Sequence, residues 1–392
     1  MAYDSRRDDP RRSSDGRRRS GVSREEARRR EEARRREEIR RRKAKKKKKK
    51  IILLIMEIIL LFVLAAGAWA ITRGTSVQKV SIKEEDIVMN ETVAANESLK
   101  GYRNIALFGV DARDKSLGKG NRSDTIIIAS INEDNGEVRL CSVYRDTYLN
   151  LGNDSYNKCN AAYAKGGPEQ AINMLNMNLD LNITDYVTVG FTGLAEVIDA
   201  LGGVEIDVRE EEIVHLNNYQ ISMVGKSDDG ENFYATEGKD YTAVTKPGLQ
   251  KLNGLQATAY CRIRYVGNDF ERAQRQRTVI AKCLETAKKS NPKELASAYN
   301  KVTGYVSTSF DSDEIVALLG DIAKYNIVAN DGFPFESNRE TGKVGSKGSC
   351  VIPNNLEQNV VMLQEFLFDN KGYETSEQVK KYSSKISADT GY

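Results

Sequence analysis

Arginine and aspartate stand close together at four places in this chain. The first block holds Asp111, Arg113 and Asp114, the second Arg122 and Asp124, and the third Arg145 and Asp146. The fourth runs from Arg262 and Arg264 through Asp269 to Arg272, Arg275, Gln276 and Arg277. Neighbouring guanidinium groups repel unless an anion lies among them, and their planar forks match phosphate oxygens in paired hydrogen bonds. Aspartates in the same cluster would repel that phosphate unless some of them hold a hard cation that bridges to it. Mg²⁺ is such a cation, commonly bound by one or two carboxylates together with phosphate oxygens and water. The pattern therefore points to a diphosphate and metal site. Surface ion pairs account equally for these residues in a chain that is 30% charged, and no single block separates the two readings.

The remaining composition narrows the chemistry. His215 is the only histidine, so a polyhistidine metal site is excluded and a Ser/His/Asp triad could be built only there. No Walker loop or dinucleotide fingerprint is present. Cys141, Cys159, Cys261, Cys283 and Cys350 are odd in number and show no metal-ligand spacing, so at least one thiol is free or shared between chains. Asn-x-Ser/Thr triplets begin at Asn90, Asn96, Asn121, Asn153 and Asn182; a glycan on Asn121 would obstruct Arg122, and all five are read as chance.

The elements that must position the charged blocks follow from hydrophobic spacing. Strands are expected over 104–110, 125–131 and 138–143, the last two joined by a hairpin at 132–136, with shorter strands over 187–189 and 204–208. Helical periodicity covers 169–178, 194–201, 252–259 and 270–289, with further helices near 313–325 and 356–368. On the helix over 270–289, Arg272 and Arg275 share a face, whereas Arg277 points elsewhere. The charged blocks fall at strand ends, where functional loops collect. Mixed strands and helices predict an α/β fold, a central mixed sheet flanked by helices. Leu194, Val197, Ile198 and Leu201 repeat as an apolar stripe that reads as core.

Charge is distributed unevenly. Residues 1–50 carry 24 lysines and arginines against 10 acids, so an overall charge of +4 hides a basic tail and an acidic body. Three copies of a Glu/Arg hexapeptide over 25–42 favour a solvated helix. The apolar run 51–72, broken only by Glu57, would be roughly 33 Å long as a helix, enough to span a bilayer. Lys43 and Lys45 to Lys50 flank it on the upstream side, which predicts a cytoplasmic amino terminus and an extracellular body. The tail has no aromatics interleaved with its basic residues and no folded reader module, so anionic lipid is its expected partner and no nucleic acid is expected. The expected organisation is a basic cytoplasmic tail (1–50), a transmembrane helix (51–72), an extracellular stalk (73–100), a catalytic domain (101–372) and a flexible tail (373–392).

Taken in order, segments 107–113, 122–128, 144–149, 156–163, 185–207 and 262–277 resemble the LytR-CpsA-Psr family of cell-wall ligases; beyond 290 only 350–353 and the helix after it are similar. The resemblance implies a sheet flanked by helices, with an apolar groove for a polyprenyl chain and an arginine-lined pocket for its pyrophosphate. It implies a Mg²⁺-dependent phosphotransferase of the bacterial, Gram-positive cell membrane. Its substrates would be a polyprenyl-pyrophosphate-linked glycan (wall teichoic acid, capsular or similar polysaccharide) and a peptidoglycan acceptor. By position, Asp111 and Asp124 correspond to the metal carboxylates, and Arg122, Arg145, Arg262, Arg264 and Arg275 to the pyrophosphate clamp. Asp269 is the expected general base, with Asp146 as alternative. Gln276 is expected to position a helix turn or a phosphate oxygen. Arg113, Asp114, Arg272 and Arg277 are further candidates. A lipid-diphosphate hydrolase and a membrane-bound envelope regulator are the alternative functions.

Overall fold

Three successive isoleucines, Ile126 to Ile128, leave neither side of their strand for solvent, and all three are buried. Such a strand needs cover on both faces of its sheet. The computed structural model describes residues 78–79, 82–94, 96–112, 116–227 and 232–392. The basic tail, the apolar run 51–72 and the pair Arg113 and Asp114 lie outside the described residues. Among the described residues no helix is long and apolar enough to cross a membrane.

The main sheet contains β1 (Gln78–Lys79), β2 (Tyr102–Val110), β3 (Ser123–Asn132), β4 (Glu137–Val143), β5 (Asp185–Gly190), β6 (Val306–Thr308) and β7 (Asn326–Phe333). Their spatial order is β1-β6-β5-β2-β3-β4-β7. The strands β2, β3 and β4 run antiparallel to one another in succession, while β5 lies parallel to β2 and β7 parallel to β4. The sheet is therefore mixed, as expected. The helices longer than one turn are α1 (Asn160–Leu179), α2 (Phe191–Ala200), α3 (Glu210–Val224), α4 (Gly254–Tyr260), α5 (Asp269–Lys289), α6 (Pro292–Val302), α7 (Ser312–Gly320), α8 (Leu356–Phe368) and α9 (Glu377–Thr390).

Alternation divides the strands between two environments. Phe108, Ile126 and Ile128 pack with Tyr163 and Leu175 of α1, Leu363 of α8 and Tyr382 of α9. Leu107 and Ile127 face the other way, where Ile280 of α5 meets them. On that side α2, α3 and α4 share a separate cluster around Ile198, Leu216 and Ala257. Val204–Val208, expected as a strand, pairs antiparallel with Gly248–Leu252 in a separate two-stranded sheet.

Two expected boundaries are corrected. Residues 82–100 do not form a free stalk: Val93 and Leu99 enter the main core, and buried Asn90 donates to Met177 O (2.9 Å) and to Asp180 (2.6 Å). The segment after 373 is not a fraying tail but α9, capped by Ser376 and burying Val379, Tyr382 and Ile386 on one face. Its apolar face has so few residues that the polar majority obscured it. A chain ending at residue 375 should lose on the order of 3 kcal/mol, because each buried apolar side chain contributes about 1.5–3 kcal/mol before the regained chain entropy is subtracted. Thermal or urea unfolding checks this, and an unchanged midpoint would return the segment to the status of a tail.

Candidate functional site

The strand directions bring the carboxyl ends of β2, β4 and β5 and the amino end of β3 to one edge of the sheet. Asp111 follows β2, Asp124 is the second residue of β3, Arg145 and Asp146 follow β4, and Phe191 follows β5. At Gly190 an added Cβ would stand 2.7 Å from Ala112 O, so only glycine lets β5 end this close to the backbone beside Asp111. The chain leaving α4 contributes Arg262 and Arg264. The amino end of α5 contributes Asp269 and Arg272, and Asn268 caps it by accepting from Phe270 N (2.9 Å) and Glu271 N (3.2 Å).

Asp124 is the hub. Its carboxylate accepts from Arg145 Nη1 (2.9 Å) and lies 3.6 Å from Arg264 Nη2, while its main-chain oxygen accepts from Arg272 Nη2 (2.9 Å). Arg145 Nε stands 3.7 Å from Asp269 and 3.9 Å from Asp146. Burial works against the Arg145 charge, but Asp124, Asp269 and Asp146 outweigh it and hold the group above its ordinary pKa. Arg272 pairs with Asp269 at 3.1 Å, yet burial, with repulsion from Arg145 and Arg264, pushes it down to about 10. The Nε atoms of Arg145 and Arg272 are buried without a hydrogen-bond partner. Two buried guanidinium nitrogens thus lack an acceptor, which a bound anion would supply.

Behind this charged edge lies a cavity of about 370 Å³. Leu107, Ile127, Val189, Leu194, Val279 and Ile280 give it an apolar wall, while Asp111, Asp124, Arg262, Arg264, Arg272 and Gln276 line it as well. It opens on the side of the sheet where α2, α4 and α5 leave space. Arg262 is held with its guanidinium carbon 4.2 Å from the Phe191 ring centroid and 5.4 Å from that of Tyr219. Gln276 donates to Cys261 O (3.4 Å), joining α5 to the end of α4.

The LytR_cpsA_psr family model matches this chain over residues 70–349. The chain belongs to the LytR-CpsA-Psr family. Biofilm regulatory protein A of Streptococcus mutans is 28% identical over 317 residues, 71% of this chain and 72% of that protein. The polyisoprenyl-teichoic acid–peptidoglycan teichoic acid transferase TagU of Enterococcus faecalis is 31% identical over 60% of this chain and 71% of its own length. Among solved structures of this family, TagT bound to LI-WTA superposes with a TM-score of 0.55 at 20% identity, covering 74% of this chain and 99% of that one. TagT with bound octaprenyl pyrophosphate lipid gives 0.51 at 19% identity, covering 74% and 99%. These likenesses establish the LytR-CpsA-Psr fold, a central mixed sheet flanked by helices.

Within this family member, Asp111, Asp124, Arg145, Arg262, Arg264, Arg272 and Gln276 either line one cavity or bond to groups that do, and Asp269 joins them through Arg145 and Arg272. Asp146 does not line the cavity and stands 3.3 Å from Lys158. Arg275 is corrected: it does not line the cavity, because its donors are consumed by Glu212 (2.7 Å), Ile263 O (3.2 Å) and Val266 O (2.8 Å). Arg122 is exposed and is not among the residues that line the cavity. Arg277 is buried toward Asn330 (3.0 Å). Leu194 lines the cavity, whereas Ile198 belongs to the core. The five cysteines are unpaired with one another, and burial pushes the thiols of Cys141, Cys159 and Cys261 up.

Sequence reasoning missed Phe191, Tyr219, Lys158 and Glu212. Phe191 had a signal, as an aromatic directly after a strand end; Glu212 had none, because its partner is 63 positions away. An anion test follows from the two unpartnered guanidinium nitrogens. Inorganic pyrophosphate with Mg²⁺ should raise the melting temperature, with about 2.7 kcal/mol gained at a hundredfold excess over Kd. Arg262→Ala and Arg264→Ala should weaken that response, and equal responses in all three proteins would remove these arginines from the anion site.

Proposed function

We propose that this chain is a membrane-anchored phosphotransferase that moves a glycan from a polyprenyl-pyrophosphate carrier to peptidoglycan outside the cell. One observation carries the reading: a single cavity has an apolar wall and an arginine and carboxylate rim, the division of polarity that a lipid diphosphate has. The transferase relatives named above and the octaprenyl pyrophosphate bound by TagT support it. The apolar run 51–72 behind its lysine cluster supports the anchor and the outward orientation.

Arg262, Arg264 and Arg272 bind and orient the diphosphate, and the apolar wall receives the first units of the lipid while excluding water. An acceptor hydroxyl attacks the glycan-side phosphorus, forming a new P–O bond. The bond from that phosphorus to the bridging oxygen breaks, and polyprenyl phosphate leaves. Asp269 takes the hydroxyl proton, its carboxylate oriented by Arg145 and Arg272. Among the described residues no cluster of three or more acidic, histidine or cysteine side chains could hold a metal. Asp111 and Asp124 together fit Mg²⁺, which usually takes one or two carboxylates and completes its shell with phosphate oxygens and water. When bound, Mg²⁺ supplies neutralisation of the diphosphate charge.

The test is glycan transfer by the full chain in detergent or vesicles, with polyprenyl-pyrophosphate-linked glycan, with and without peptidoglycan and with Mg²⁺ or EDTA. Acceptor-dependent, Mg²⁺-dependent coupling is expected. Release of polyprenyl phosphate at the same rate without acceptor would make the protein a hydrolase instead.

A further inference from the structure

The loop between α4 and α5 is fastened from beneath. Arg275 donates to Ile263 O and Val266 O, and is itself fixed by Glu212 of α3. The two residues between these anchor points, Arg264 and Tyr265, turn outward. Gly267 then reverses the chain at φ +77°, where an added Cβ would collide with the Glu271 carboxyl group at 2.1 Å.

Glu212, His215 and Tyr219 are spaced i, i+3 and i+7 on α3 and share one face. All three touch the segment 261–275: Glu212 grips Arg275, His215 stacks on Tyr265, and Tyr219 lies beside Arg262. The His215 and Tyr265 rings are 5.4 Å apart between centroids and inclined by 27°. Tyr265 nonetheless keeps 78% of its surface exposed, the most of any large hydrophobic side chain among the described residues. A ring that is both exposed and held in place by a stacked neighbour is a preformed contact surface, since little side-chain freedom is left to lose on binding. It sits one residue beyond Arg264, which lines the cavity.

We propose that the His215–Tyr265 stack is a saccharide platform, on which the sugar ring nearest the diphosphate lies against the exposed face of Tyr265. This rests on the transferase reading. With lipid filling the apolar cavity and the diphosphate at the arginines, the ring next to Arg264 is reached by whatever hangs outward from the phosphate. In this chemistry that is a sugar, of the donor or of the acceptor. The apolar C–H face of a pyranose suits an aromatic face, and its hydroxyls remain in water. His215 is a positioning residue that fixes the angle of Tyr265.

The experiment compares wild type, Tyr265→Ala, Tyr265→Trp and His215→Ala in the full chain. Four probes are used for binding: octaprenyl pyrophosphate without sugar, octaprenyl pyrophosphate bearing one hexosamine, a soluble peptidoglycan fragment, and vesicles of anionic phospholipid. The Tyr265→Ala variant should bind the sugar-free lipid as wild type does, because Tyr265 is not among the residues lining the cavity. It should weaken one sugar-bearing probe by roughly tenfold, the size of one lost stacking contact, and Tyr265→Trp should restore it. Weakening of the hexosamine lipid assigns the platform to the donor, and weakening of the fragment assigns it to the acceptor. His215→Ala should give a smaller loss of the same probe. Unchanged binding of both sugar probes overturns the platform; so does a loss confined to anionic vesicles, which would assign the ring to the bilayer. These are binding measurements, so they stand even if the protein hydrolyses its donor and the transfer reading fails.

Discussion

Asp124→Asn should lower glycan transfer by about a hundredfold or more while leaving the fold intact. Asparagine preserves the size of the side chain and one oxygen, but removes the charge that compensates Arg145 at 2.9 Å and Arg264 at 3.6 Å. It also removes a hard ligand from the only pair of carboxylates lining the described cavity. The two losses act in opposite directions on an anion. Without Mg²⁺, octaprenyl pyrophosphate should bind the variant at least as tightly as wild type, because one repelling carboxylate has gone. With Mg²⁺, the gain in affinity proposed for wild type should be absent. A retained Mg²⁺ effect with full transfer would reduce Asp124 to an ion-pair partner of the arginines, the bland reading that its sequence block allowed. Arg145→Ala leads to the same comparison from the other side: Asp124, Asp146 and Asp269 lose their shared cation, and the site becomes a concentration of negative charge facing a diphosphate.

The charged edge was legible because its residues sit at strand ends, and strand ends follow from alternation. Once β2, β3 and β4 are read as neighbours, Asp111, Asp124 and Arg145 must meet, whatever surrounds them. The cavity behind them was not legible. Leu107 and Ile127 alternate like core residues, and their spacing does not reveal whether the facing helices fill the space above them. Arg275 failed for a related reason. Its spacing from Arg272 puts both on one face of α5, but Arg272 reaches the Asp124 main chain whereas Arg275, one turn deeper, reaches Glu212. The i, i+3 rule fixes direction and says nothing of which neighbour is met first. At the carboxyl end, α9 buries Val379, Tyr382 and Ile386 among serines and lysines, too thin a stripe to outweigh its polar composition.

Arg275→Met should cost roughly 3–5 kcal/mol of stability, the usual penalty for leaving one partner of a buried ion pair alone. Both side chains are almost fully buried, Arg275 at 4% exposure and Glu212 at 1%. Glu212→Leu together with Arg275→Met should recover much of that stability, because an apolar pair of similar volume carries no desolvation penalty. Transfer should stay low in the double variant, since the hydrogen bonds to Ile263 O and Val266 O that hold the loop remain broken. Burial works to raise the Glu212 pKa, but bonds from the Arg209 main chain and the Arg275 and Arg209 side chains outweigh it and hold the carboxyl below its ordinary range. A carboxylate lowered in the folded state stabilises fully above its unfolded pKa of about 4.3 and loses that contribution as pH falls toward the lowered value. Wild type should therefore lose stability on acidification below about pH 5, and the double variant should lose less over the same range. Unchanged melting of Arg275→Met with weakened pyrophosphate binding would put Arg275 back in the clamp and detach the loop from its buried anchor.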